Sequence, residues 1–131
     1  MTFDEMCEFD VLYEAYKAAR RGKRSKYSEA QYEANVLQLT ERLSYILRSG
    51  KYHPSKFEVF YVREPKLRLV QAPAFVDKVV QHALVDNILY EAITRSFIQD
   101  NYASQLGKGT HYGLSRLKEA MLSYFRHRKG V

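Results

Sequence analysis

One stretch of this chain changes its hydrophobic period, and that change sets the fold class. Phe57, Val59 and Tyr61 alternate with Glu58, Phe60 and Val62, the two-residue period of a strand. Glu64-Pro65 is turn chemistry, because proline pre-sets its φ angle. Leu67 to Gln71 then reads as the return strand. This is the only convincing β-hairpin in the sequence. The rest repeats at helical spacing, so the expected fold is α+β: a mostly helical subdomain with about four main helices and one antiparallel hairpin.

The first helix is expected over 5–20, with Phe9, Leu12, Tyr13, Tyr16 and Ala19 on one face. Ser28 and Gln31 match a capping box, and a second helix follows to about Arg48 with the stripe Tyr32, Val36, Leu39, Leu43, Ile46 and Leu47. Gly50 is its stop. Pro73 opens a third helix over 74–94, its core face Val76, Val80, Ala83, Leu84 and Ile88. Residues 95–109 are irregular. Thr110 is placed to cap a fourth helix carrying Leu114, Leu117, Met121, Tyr124 and Phe125, with Arg126, Arg128 and Lys129 in its last turn, where the helix dipole favours cations.

A chain of 131 residues suits one domain with a modest core. Its formal charge of +6 points to a polyanionic partner. Cys7 is the only cysteine, which excludes an internal disulfide and a cysteine-rich zinc site and fits a reducing cytoplasm. No apolar stretch is long enough to span a bilayer, so no membrane is expected.

Three clusters could carry chemistry. Lys17, Arg20, Arg21, Lys23, Arg24 and Lys26 fall in ten residues without an acid. They read either as a solvated helix end or as phosphate contacts whose binding is salt-dependent. Arg63, Lys66 and Arg68 gather at the hairpin tip, and Arg68 emerges on the face opposite Leu67 and Leu69. Such charges guard an edge strand against aggregation or reach a polyphosphate. Gly107-Lys108-Gly109-Thr110-His111 places glycines before a helix, where backbone amides can approach an anion, but it lacks full P-loop spacing. The four histidines are scattered and form no metal site by spacing. Asp77 and Asp86 lie nine residues apart, and no Asp-Asp pair exists, so no catalytic residues are assigned.

Taken in order, the runs Arg63-Glu64-Pro65-Lys66-Leu67-Arg68-Leu69-Val70, Phe75-Val76-Asp77-Lys78-Val79-Val80-Gln81-His82-Ala83-Leu84, Phe97-Ile98-Gln99-Asp100-Asn101-Tyr102-Ala103 and Gly107-Lys108-Gly109-Thr110-His111 resemble the first two conserved blocks of group II intron-like bacterial reverse transcriptases. The resemblance covers about 60 residues strongly. It implies an N-terminal fingers fragment of an RNA-directed DNA polymerase, with residues 1–50 a helical hairpin bearing an RT0-like lid loop and 51–131 the two blocks. Palm and thumb would be absent, and the chain stops directly after a helix, as a piece of a larger protein would.

The resemblance also implies roles. Lys66 and Arg68 take the places of residues that contact the triphosphate of the incoming dNTP. Lys78 stands where the family has an arginine, keeping the charge but losing the planar fork. Tyr102, Lys108, Thr110 and His111 would follow the template strand. Gln105 stands where an arginine is frequent. Arg20, Arg21, Lys23, Arg24 and Lys26, with Arg63, would grip RNA template or RNA–DNA duplex. No cofactor is expected on the fragment; Mg2+ would bind in the parent's palm. Two rival readings are a stand-alone, maturase-like RNA-binding module and a dimerisation fragment. A homodimer through the fourth helix is a further expectation.

Overall fold

A computed structural model describes residues 1–22 and 27–128. Helices α1 (Phe3–Met6), α2 (Phe9–Arg20), α3 (Tyr27–Ala34) and α4 (Val36–Arg48) precede strands β1 (Glu58–Val62) and β2 (Arg68–Ala72). Helix α5 (Phe75–Leu84) runs through a π turn (Val85–Leu89) into α6 (Tyr90–Thr94), and α7 spans Thr110–Arg128. The fold is mostly helical α+β with one antiparallel two-stranded sheet. Among the described residues no helix is long and apolar enough to cross a membrane.

Several boundaries differ from the sequence reading for local reasons. The first helix is interrupted at Cys7 and Glu8: Thr2 and Glu5 form a capping box that starts α1, and Glu8 turns extended (φ −67°, ψ 148°) before α2 begins. Ser28 lies inside α3 and donates to Glu29 instead of capping the helix. Asn35 leaves helical geometry at φ −127°, ψ 29° and separates α3 from α4. Gly50 ends α4 with φ +67°, a conformation that glycine adopts without steric cost. Thr110 is the first residue of α7, so the capping position falls on Gly109.

The chain forms two compact units, Met1–Glu91 and Ala92–Val131. In the first, α2 packs on α5 and α4 around Leu12, Tyr16, Ala19, Leu43, Leu47, Phe75, Val79 and Ala83. Tyr16 and Tyr32 stack at 5.5 Å, and Phe75 meets both edge-on at 6.2 and 5.2 Å, geometries that the ring quadrupoles favour. Buried Asp77 accepts hydrogen bonds from Tyr52 Oη (2.5 Å) and Ser55 N (2.9 Å), tying the approach to β1 onto α5. Burial and this bond push the Tyr52 phenol well above its usual range.

Candidate nucleic-acid interface

The hairpin is built by alternation. Its register pairs Glu58 with Ala72, Phe60 with Val70 and Val62 with Arg68, which places these six on one face. Val59, Gln71, Tyr61 and Leu69 occupy the other. Arg68 thus emerges opposite Leu69, at the end of the ladder beside the turn. Arg63, Lys66 and Arg68 are exposed, and among the described residues none of them makes an ion pair or a side-chain hydrogen bond. Three cations on one short turn, uncommitted to the fold, are free to meet phosphate oxygens.

The end of α2 behaves differently. Arg20 Nη1 donates to Tyr16 Oη at 2.6 Å, lies over the Tyr16 ring, and pairs with Glu33 of α3. The Tyr16 hydrogen bond, with the Glu33 charge beside it, raises the affinity of this guanidinium for its proton. Arg20 is therefore a strut between α2 and α3. Lys17 is engaged by Glu14 and the Tyr13 ring. Arg21 is exposed and makes neither kind of bond among the described residues. Lys23, Arg24 and Lys26 lie outside the described residues, as does Lys129.

Lys78 also faces inward. Its Nζ sits 3.8 Å from Oε1 of Glu29, and the two side chains are 22 % and 2 % exposed. This places the Lys78 charge at the α3–α5 contact.

In the second unit the residues from 99 to 116 form one knot. Lys108 Nζ donates to the Gln99 carbonyl at 2.9 Å and stands 5.7 Å over the Tyr112 ring. Tyr102 packs edge-on against Tyr112 at 5.7 Å. Arg116 bridges Asp100 and Glu119, each at 3.0 Å. The Arg116 hydrogen bond holds the Asp100 carboxyl below the usual carboxylate range. Partial desolvation, then a hydrogen bond to Asp100, raises the Tyr102 phenol. Tyr102, Lys108 and Thr110 are brought together here, and Thr110 and His111 are exposed. Gly113 and Arg116 escaped the sequence reading. A glycine inside a helical pattern was the available signal, since it usually marks close packing.

Among the described residues no group of three His, Cys, Asp or Glu could hold a metal ion. No protein-family model matches the chain, and no curated protein matches it.

Proposed function

We propose that this chain is the fingers region of a group II intron-type reverse transcriptase, acting in the cytoplasm to grip template RNA and position the incoming nucleotide. The observation that carries the reading is the hairpin tip. Arg63, Lys66 and Arg68 stand exposed with no internal partner among the described residues, on an element followed directly by α5. That is the order in which the two most distinctive runs of the resemblance occur. Tyr102, held on edge by its neighbours, offers a ring for base stacking. Arg21 adds a further exposed cation. Arg20, Lys78 and Lys108 act in support, since their charges are engaged within the fold. Attack of a primer 3′-hydroxyl on the nucleotide would use palm carboxylates and Mg2+ in the parent enzyme.

Binding of a single-stranded RNA oligonucleotide across a potassium chloride series tests the reading. Each phosphate neutralised contributes about −0.7 to the slope of log affinity against log salt. A slope of about −2 or steeper is expected, and replacement of all three tip cations by alanine should make it shallower. A slope near zero, or one indifferent to the tip, would overturn the proposal.

A further inference from the structure

We propose that Asp77 is a positioning residue: it fixes the angle of the β-hairpin on the helical core and so poses the tip cations for phosphate. That role rests on the RNA-gripping function proposed above, while the joint itself belongs to the first unit and stands on its geometry. The hairpin has little else to hold it. All five residues of β1 are exposed, and in β2 only Val70 and Ala72 are partly covered. A two-stranded hairpin without a packed face is marginal by itself, so its direction is set at its base.

Both legs of that base meet the first turn of α5. The rung farthest from the turn pairs Glu58 with Ala72. Three residues after Ala72 the chain is already in α5 at Phe75, so this leg is held by the backbone itself. Three residues before Glu58 stands Ser55, whose N–H donates to Asp77 Oδ2 at 2.9 Å. Tyr52 Oη donates to Oδ1 of the same carboxylate at 2.5 Å, and the Tyr52 ring packs against the core. Pro54, between them, has a fixed φ. Asp77 is 3 % exposed. It is the third residue of α5, where an acid ordinarily reaches back to the N-cap amide. The N-cap Ala74 has no side-chain hydrogen bond, and the carboxylate is turned onto the β1 leg instead.

The joint works on a long lever. Ser55 and Val62 lie seven residues apart, about 23 Å in extended chain. A swing of about 20° at the base would carry the tip about 8 Å, well past the reach of a charge-assisted hydrogen bond. Arg21 at the end of α2 and the tip cations Lys66 and Arg68 belong to the same unit. They can serve one strand together only while the hairpin keeps its angle.

Spin labels at Leu67→Cys beside the tip and Glu41→Cys on α4, both exposed positions, report the angle; Cys7 is buried and inert to labelling. Pulsed electron paramagnetic resonance on the full chain should give one narrow distance. Tyr52→Phe and Asp77→Asn should each broaden it at least about twofold. In unlabelled protein each should weaken single-stranded RNA binding about 5- to 30-fold, the cost of re-ordering about one residue of backbone. The loss should be the same at every potassium chloride concentration, because the same phosphates are still met and the salt slope holds. Tyr32→Phe is the control: it strips Thr40 of a buried hydroxyl partner at 3.3 Å, and should lower the melting temperature without touching distance or affinity. A distance left narrow in both joint variants would overturn the proposal. So would RNA affinity that ignores a broadened distance, or equal effects from Tyr32→Phe. An unsubstituted chain that fails to bind RNA would sink the functional reading instead, and the distance alone would then decide whether Asp77 sets the angle.

Discussion

The Tyr102 ring lies so close to Gly113 that a β-carbon there would stand 2.9 Å from Cδ2 and 3.2 Å from Cε2. Helix α7 therefore tolerates only glycine at this point while Tyr102 keeps its place. Alanine normally stabilises a helix interior over glycine by about 1 kcal/mol, but overpacking costs about 1–3 kcal/mol. The ring is constrained by Tyr112 and by its hydrogen bond to Asp100, so the clash should win. Gly113→Ala is expected to lower the protection of α7 amides in hydrogen exchange. In a Tyr102→Ala background the same change should raise it. An identical response in both backgrounds would show that the ring simply swings aside.

Asp100 gives a pH dependence with a definite sign. Its carboxyl is held below the ordinary value by the Arg116 hydrogen bond. A depressed carboxylate contributes stability that is present above its unfolded value of about 3.9 and is lost as pH falls through the folded value. The window therefore lies below about pH 4. An NMR titration of the Asp100 carboxyl should show a low midpoint that rises in Arg116→Ala. A midpoint unmoved by Arg116→Ala would contradict the pairing.

Lys78 and Glu29 separate a structural role from a ligand-binding one. The pair is long, at 3.8 Å, and Ser28 also donates to Glu29, so Lys78→Ala should cost about 1–3 kcal/mol. The double variant Glu29→Gln with Lys78→Met should recover much of the loss in urea unfolding. Full stability in Lys78→Ala would return this lysine to the list of free cations.

What the sequence made legible divides along local and non-local lines. The hairpin, the α2 stripe and the Gly50 stop follow from periodicity and backbone preference, and each stands where the pattern placed it. The shift of Ser28 into α3 is local as well, since its hydroxyl donates to the adjacent Glu29 and not to the helix start that the capping-box pattern marked. Val79 and Phe75 were missed in α5 because a helix covered on two sides has no single clean stripe. At the candidate site, the tip cations were readable from strand alternation. The engagement of Arg20 by Glu33, of Lys78 by Glu29 and of Arg116 by Asp100 was not, because each pair joins residues at least 13 positions apart. Asp77 is the same case. Weighed as a carboxylate without metal spacing, it instead anchors Tyr52 and Ser55.

Two arginines that look alike in the sequence should behave in opposite ways. Arg68 is exposed at the hairpin end, and no ion pair or side-chain hydrogen bond holds it among the described residues. Arg20 is bonded to Tyr16 and Glu33. Arg68→Ala should leave the melting temperature almost unchanged, since substitutions at such surface positions usually stay within about 0.5 kcal/mol. It should weaken RNA binding, because a charge-assisted contact to phosphate is worth about 1.5–3 kcal/mol, and it should lower the salt slope by about 0.7. Arg20→Ala should do the reverse. It removes a strut and strips Tyr16 and Glu33 of a partner, so stability falls while the salt slope holds. Thermal melts and a salt series on the same two variants decide the matter. Parallel losses in both, or an Arg68→Ala protein that melts early with an unaltered slope, would remove the hairpin tip from the interface and leave its charges as guards on an exposed strand edge.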